Sequence, residues 1–210
     1  MAGLISKYKM NTLTKLDIGK LAMNNQYQVN ISGITQDLQG YLGRYYDLPK
    51  NYSTGTDIGI MCSEATLPTS SFATAEVKDN FQGINQQFAH TRLYIDSDFT
   101  FYVDRNYNVL KFFEGWMDYI SGDDDYRGVD REDNHNYYRR FNYPMYRDRK
   151  IGYKCGSVTV SKFDRNFDNN LVYEFINAFP KGMTSIPVTY GQTDILRVTV
   201  QFAYDRYIVK

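Results

Sequence analysis

The chain has 210 residues, of which 42% are hydrophobic, and this is enough for one domain with its own core. Lys plus Arg equals Asp plus Glu, at 24 each, so overall charge cannot hold the protein on a phosphate backbone or an anionic membrane. The 20 Tyr and 13 Phe residues favour broad amphipathic contact surfaces and therefore assembly.

The first predicted strand covers residues 26–32, QYQVNIS, in which apolar and polar side chains alternate. Its polar face carries Gln26, Gln28 and Asn30, which are uncharged. On a single strand, an uncharged polar face is nearly as typical of an ordinary solvent-exposed surface as of a surface with a particular function. The strand therefore indicates a half-buried sheet.

Two stretches after this strand lack helix or strand periodicity and are predicted to be loops or insertions. Residues 33–59 are rich in Gly, Tyr and Asp, and residues 63–90 are polar with scattered aromatic side chains. Within the second stretch, we expect residues 72–90 to project from the domain.

Strands are predicted again at 92–95 and 98–104, and a helix follows at 106–120. The helical segment, NYNVLKFFEGWMDYI, places apolar side chains at helical spacing, with charged ones on the other side. Gly115 weakens this helix by about 1 kcal/mol relative to Ala. We therefore expect packing against a sheet to stabilise it.

Residues 121–150 are the most polar part of the chain and are predicted to be an insertion. Its second half interleaves aromatic and basic side chains, as proteins that hold single-stranded nucleic acid do. The whole segment has seven acidic and seven basic residues, however, so its local field is largely cancelled. This balance favours a protein interface over a nucleic-acid site.

The remaining strands are predicted at 157–160, 172–179 and 196–205. Residues 172–179, VYEFINAF, are apolar on both faces, which predicts a strand that is buried on both sides. Residues 196–205 alternate most regularly of all, and few residues follow them to cover an edge. Together the elements predict a mainly antiparallel β protein.

The sequence contains no convincing calcium loop. DDDYRGVDREDN places Asp123, Asp125 and Gly128 at the first, third and sixth positions of such a loop. Arg127 and Asn134 occupy the fifth and twelfth positions, where ligands are required, so a solvated charged loop is the better interpretation.

Catalytic residues are not predicted either. Asp96 and Asp98 share a side of a strand start, but no third polar group lies near them in the sequence. His90 and His135 are isolated, and Cys62 would need a distant His to act as a nucleophile. Phosphate-binding glycine loops and hydrolase motifs are missing from the sequence.

The cysteines and the N-terminal residues indicate the compartment. Cys62 and Cys155 lie far apart without Cys-x-x-Cys spacing, so we expect reduced, buried thiols. MAGLISKYKM lacks the apolar stretch of a secretion signal, and no apolar run approaches the roughly 20 residues that span a bilayer. We expect a protein kept in a cytoplasm without a membrane anchor.

The order of these parts resembles the tail tube proteins of contractile-tailed bacteriophages, which in turn resemble type VI secretion tube subunits. The similarity covers residues 24–120 and 150–208. It is strongest at the ATLP turn of residues 65–68 and in the C-terminal block, where Phe179 and Pro180 precede a loop and the final alternating strand. Neither motif is catalytic or diagnostic by itself, so the specificity of the resemblance lies in the order of the motifs along the sequence.

The resemblance implies a single tail-tube domain over residues 1–210, with two packed antiparallel sheets and one flanking helix. Six such copies form a ring, and rings stack into a hollow tube in a virion tail. The chain departs from compact family members by an N-terminal extension, 1–23, and by the insertions 33–59 and 121–150.

The resemblance also implies a structural protein without enzymatic activity or cofactor. Its partners are further copies of itself, a contractile sheath, a baseplate tube initiator, a tape-measure protein and double-stranded DNA that passes without specific binding. Assembly takes place in the bacterial host cytoplasm. The alternatives are a baseplate tube initiator and a single-strand nucleic-acid binding module centred on 137–150.

Four surfaces follow from the tube interpretation. The inter-ring contact is expected at Phe72, Phe81, Ile84 and Phe88. Neighbours in one ring are expected to cover the strand edge at Arg197, Thr199 and Gln201. A bore that lets DNA pass should be neutral or acidic, which suits Gln26, Gln28 and Asn30. Outward contacts of the insertion are expected at Tyr137, Tyr138, Arg139 and Arg140.

Overall fold

A computed structural model describes residues 24–78, 83, 85–121, 152–164, 170–186, 188, 190–191 and 194–210. In these residues the protein is mainly β, as predicted. The helices, in chain order, are α1 (Gln36–Tyr45), α2 (Lys50–Ser53), α3 (Thr56–Ile60) and α4 (Asn108–Ser121). The strands are β1 (Tyr27–Ser32), β2 (Cys62–Ala65), β3 (Thr69–Val77), β4 (Gln86–Ile95), β5 (Ser97–Tyr102), β6 (Ser157–Phe163), β7 (Asn170–Ile176), β8 (Phe179–Met183), β9 (Arg197–Ala203) and β10 (Arg206–Val209).

The strands form two four-stranded antiparallel sheets and a separate ribbon. Sheet A has the order β1-β6-β7-β10, and sheet B has the order β2-β5-β9-β8. The ribbon pairs β3 with β4 and is called the arm below. Two packed antiparallel sheets are therefore confirmed.

The two sheets meet through aromatic side chains. The Phe99 ring of sheet B lies edge-on to Phe175 of sheet A, with 5.7 Å between the ring centroids. Phe99 also contacts Phe202 of the neighbouring strand at 5.4 Å. All three side chains are buried, so the alternation in β5 and β9 sends its apolar face into the core.

Helix α4 packs against this core with the face that the sequence predicts. Phe113 contacts Phe101 at 4.9 Å, and Trp116 contacts Phe202 at 6.4 Å between ring centroids. The Trp116 Nε1 atom donates a hydrogen bond to the backbone oxygen of Tyr153 at 2.7 Å. The buried indole therefore has its polar atom satisfied.

The prediction of an unstructured insertion at 33–59 is wrong, because α1, α2 and α3 lie there. In α1 the buried side chains are Leu38, Tyr41 and Leu42, at helical spacing. Tyr41 contacts Tyr119 of α4 at 5.4 Å, so α1 and α4 share a core. The protein thus has more than the one predicted flanking helix.

Two other expectations are wrong. The stretch 63–90, expected to be a loop, contains β2 and most of the arm. In β7, which was expected to be buried on both sides, Phe175 is the only buried residue. β7 lies between β6 and β10 in sheet A, and the apolar side chains on its own outer face remain partly exposed.

Candidate assembly surfaces

The arm is a ribbon whose side chains are nearly all exposed. Its strands pair from Thr69 opposite Ile95 to Val77 opposite Gln86, with one bulge near the middle. In the described part of the chain it belongs to neither four-stranded sheet. A two-stranded ribbon is marginally stable alone in water, so a further surface is needed to bury it.

The register divides the arm into two faces, because directly opposed residues of an antiparallel pair lie on the same face. One face has no Asp, Glu, Lys or Arg among its paired residues and is called the apolar arm face. Its large side chains are 39 to 54% exposed: Val77, Phe88, Leu93 and Ile95. A contiguous exposed apolar surface of this kind is typical of a protein contact.

The four predicted inter-ring residues do not form one surface. Phe88 lies on the apolar arm face, whereas Phe72, which is 59% exposed, lies on the opposite face beside Arg92. Phe81 and Ile84 lie outside the described residues. Phe72 and Phe88 therefore cannot both contact one flat partner.

The opposite face of the arm is anchored at its base by a cluster that the sequence did not reveal. The Arg92 Nε atom donates to the Ser70 hydroxyl at 3.0 Å, and its Nη2 atom donates to the Tyr207 hydroxyl at 2.9 Å. The guanidinium carbon lies 5.3 and 5.1 Å from the ring centroids of Tyr94 and Tyr207. The hydrogen bond with Ser70, and then Arg92, hold the pKa of Tyr207 below its ordinary value of 10.0.

The prediction that β9 presents a free strand edge is wrong. β9 lies between β5 and β8 in sheet B and pairs with both. Arg197, Thr199 and Gln201 therefore point their side chains out of the sheet, while most of their backbone is paired within the chain. The edges of the two sheets are β1, β10, β2 and β8.

The outer face of sheet B is polar. The hydroxyls of Thr100 and Thr199 lie 3.0 Å apart, and the Arg197 guanidinium lies 5.3 Å from the Tyr102 ring centroid. Gln201 extends the same row. Asp98, opposite Gln201, and Glu64, opposite Thr100, add two carboxylates to this face.

The outer face of sheet A is also largely uncharged. Gln28 and Asn30 are exposed there, whereas Gln26 is half-buried and its Oε1 atom has no hydrogen-bond partner in the described part of the chain. Glu174 and Lys210 form an ion pair of 2.6 Å on this sheet. Arg206, which lies opposite Ile176 and is exposed, adds a further cation to this face.

The possible catalytic groups are dispersed. Asp96 forms an exposed ion pair with Lys181 at 2.6 Å, and Asp98 is exposed. His90 Nδ1 lies 2.7 Å from the Thr91 hydroxyl on the arm. Within the described ranges no three His, Cys, Asp or Glu side chains meet as a metal site. No helix of those ranges is long and apolar enough to cross a membrane.

Both thiols are free, and burial raises the pKa of each to about 12. Cys155 is buried, and its thiol is an inert part of the core. Cys62 is partly buried, and its Sγ atom lies 3.2 Å from the backbone oxygen of Glu64. The segment DDDYRGVDREDN, which is predicted to be a solvated charged loop, lies outside the described residues, as do His135 and the predicted contacts at 137–140.

Solved structures with a similar fold come from injection machines. The anti-feeding prophage cap, a tube terminating cap, is 12% identical with a TM-score of 0.54, over 90% of this chain and 91% of that chain. The sheath/tube terminator of PVC, an extracellular contractile injection system, is 13% identical with a TM-score of 0.51, over 90% and 96%. The anti-feeding prophage baseplate includes a chain with 8% identity and a TM-score of 0.50, over 90% and 95%.

At these identities the likeness establishes the fold alone. No match in sequence was found among curated proteins. The family model described as "Phage tail tube protein" matches residues 22–210, which include both sheets, the arm and α4. Family membership confirms the predicted resemblance and the structural, non-enzymatic role, and it implies a place in a phage tail. The chain belongs to the phage tail tube protein family.

Proposed function

We propose that this protein forms the inner tube of a contractile phage tail, in which six copies make each ring and the rings stack. The apolar arm face is the observation that carries the proposal. It leaves large uncharged apolar side chains in water in a chain whose family builds tubes. Association would remove this surface from water, which is the main driving force for assembly.

The tube acts as a passive conduit for double-stranded DNA. Each Lys or Arg contact with a phosphate adds affinity through counterion release, so a bore must present few free cations. The outer face of sheet A, with Gln26, Gln28 and Asn30, suits such a wall because most of its side chains are uncharged and the Glu174–Lys210 ion pair is balanced, although Arg206 adds one cation. The polar face of sheet B is similar in character and is the other candidate lining.

Stacking of rings uses the arm, with Phe88 on its apolar face. The insertion at 121–150, including Tyr137, Tyr138, Arg139 and Arg140, faces outward towards a sheath or a neighbouring ring. A contractile sheath, a baseplate tube initiator and a tape-measure protein that fills the bore before DNA are the further partners. Assembly occurs in the cytoplasm of the bacterial host.

A baseplate tube initiator is the second candidate, because one similar chain belongs to a solved baseplate. An initiator forms a single ring and nucleates the tube, whereas a tube subunit adds to its own rings without limit. A single-strand nucleic-acid module at 137–150 is the third.

Negative-stain microscopy of the purified full chain separates these functions. Tubes of indefinite length support the tube subunit, and single rings that do not elongate support the initiator. Compact monomers at high concentration that shift a labelled oligonucleotide would overturn the proposal in favour of nucleic-acid binding.

A further inference from the structure

An open groove runs between β1 of sheet A and β2 of sheet B, which are edge strands of the two sheets. Its volume is about 700 Å³. The Tyr27 hydroxyl bridges the two strands by donating to the backbone oxygen of Cys62 at 3.3 Å. Further along β1, helix α3 lies so close that a methyl group on Gly59 would come 2.3 Å from the Val29 oxygen. α3 thus covers one part of β1, and the groove lies beside the other.

Apolar side chains from both sheets line this groove and continue into the core. Val160 is buried, and Tyr27, Cys62 and Ala65 pack against the buried cluster. Leu67, in the turn after β2, is 39% exposed. Protein interiors are close-packed, and apolar side chains at the open end of a core gain free energy when they leave water. The lining therefore favours an occupant that brings apolar side chains of its own.

The charged groups of the groove do not favour an anionic occupant. Glu64 is exposed and Lys162 supplies one ammonium group, so the lining has no net charge. The Lys162 Nζ atom donates to the backbone oxygens of Gln26 and Phe163, at 2.9 and 3.2 Å. A phosphate or a nucleic acid would thus meet one carboxylate and one cation that is already engaged.

The chain itself supplies apolar side chains at the entrance of the groove. Asn24 and Asn25 belong to the lining, so the residues just before them reach the described domain at this point. The family model begins at residue 22, so most of the preceding segment is an addition to the family's domain. Tethering gives such a segment a high effective concentration at the groove, ahead of any free partner. Residues 16–23, LDIGKLAM, contain four large apolar side chains, Leu16, Ile18, Leu21 and Met23.

We propose that residues 16–23 fill this groove in their own copy of the chain, with Leu21 and Met23 against its apolar lining. The segment completes the core between β1 and β2 and closes the side of the protein that α3 leaves open. It also holds the N-terminal extension against the domain. The proposal goes beyond the tube and does not rest on it, because every group involved belongs to one chain.

The Cys62 thiol lines the groove and therefore reports whether the groove is filled. In the full chain, Leu21→Ser with Met23→Ser removes the two apolar side chains nearest the groove. Leu4→Ser with Ile5→Ser is the matched control at the far end of the extension. We expect Cys62 to react with a neutral maleimide about tenfold faster in the first double variant than in the wild type or the control. A tenfold change corresponds to about 1.4 kcal/mol, less than full burial of two such side chains would give.

Cys155 is the internal reference, because it is buried in the core and does not line the groove. Mass spectrometry of the labelled peptides separates the two thiols. Equal labelling of Cys62 in all three proteins would overturn the proposal. If Cys155 also becomes reactive in the first double variant, the fold has opened, and Leu21→Ser alone takes its place. Cys62 should then still react faster than in the wild type, and an unchanged rate would again overturn the proposal.

Dilution of the wild-type chain distinguishes its own segment from that of another copy. Below the concentration at which tubes form, the rate of Cys62 labelling should not depend on protein concentration, because the occupant is tethered. A rate that rises on dilution would assign the groove to a second copy and overturn the proposal. Failure of the chain to form tubes would overturn the proposed function and leave this result as it stands.

Discussion

Gly115 of α4 lies directly against Leu42 of α1: a methyl group on Gly115 would come 2.6 Å from the Leu42 Cδ2 atom and 2.8 Å from the Tyr46 ring. Alanine is the better helix former by about 1 kcal/mol, but overpacking costs about 1–3 kcal/mol. We expect Gly115→Ala to lower the free energy of unfolding by about 1 kcal/mol. Urea denaturation measures this change.

Gly40 of α1 provides the matched control. It is exposed, and a methyl group placed on it would meet nothing within 4 Å. Gly40→Ala should therefore stabilise the protein by about 0.5–1 kcal/mol, in the opposite direction to Gly115→Ala. Equal effects of the two substitutions would contradict the close packing of α1 against Gly115.

Period-two alternation predicted the strands that are buried on one face. In β1, β5 and β9 the apolar side chains enter the core and the polar ones leave it, so the pattern carries the information directly. α4 was predicted for the same reason, because its buried side chains recur at helical spacing. α1 was missed because Gly40 and Gly43 interrupt its pattern of Leu38, Tyr41 and Leu42.

Alternation does not say which strands are neighbours. β9 has the clearest pattern in the chain, yet it lies inside sheet B because β8 returns to pair with it. In the arm only the strand at 92–95 was predicted, because neither face of the arm is buried and its sequence has no core side to reveal. The Arg92 cluster joins residues 115 positions apart, which no local pattern indicates.

The Cys155 thiol should make stability depend on pH. Burial raises its pKa from 9.0 to about 12, so between these values the unfolded chain loses the thiol proton and the folded protein keeps it. The contribution is complete below pH 9 and is lost as pH rises towards 12. The free energy of unfolding should therefore fall more steeply with pH in the wild type than in Cys155→Ala, measured from about pH 8 to about pH 10.5.

Cys62 titrates in both of these proteins and cancels from the comparison. Thiol labelling supplies an independent check. In the folded chain Cys155 should react little with a charged disulfide reagent, whereas in the denatured chain both thiols should react. Parallel pH profiles for wild type and Cys155→Ala would contradict a buried neutral thiol.

Gly59→Ala should separate α3 from β1. The added methyl group would come 2.3 Å from the backbone oxygen of Val29. A backbone atom cannot rotate away as a side chain can. We expect a loss of about 2–3 kcal/mol, mostly through displacement of α3. Gly43→Ala is the control, because nothing lies within 4 Å of its methyl position. Urea denaturation measures both variants, and equal losses in Gly59→Ala and Gly43→Ala would contradict the close packing of α3 on β1.

The two phenylalanines of the arm should differ in assembly and not in folding. Phe88→Ser removes a large side chain from the apolar arm face, whereas Phe72→Ser removes one from the opposite face. Both are more than half exposed, so each should change the free energy of unfolding by less than about 1 kcal/mol. Burial of Phe88 between copies would contribute about 1–3 kcal/mol, so Phe88→Ser should require roughly tenfold more protein to form tubes, by sedimentation. A larger effect of Phe72→Ser would contradict this prediction. It would show that copies contact each other through the face that carries Phe72 and Arg92.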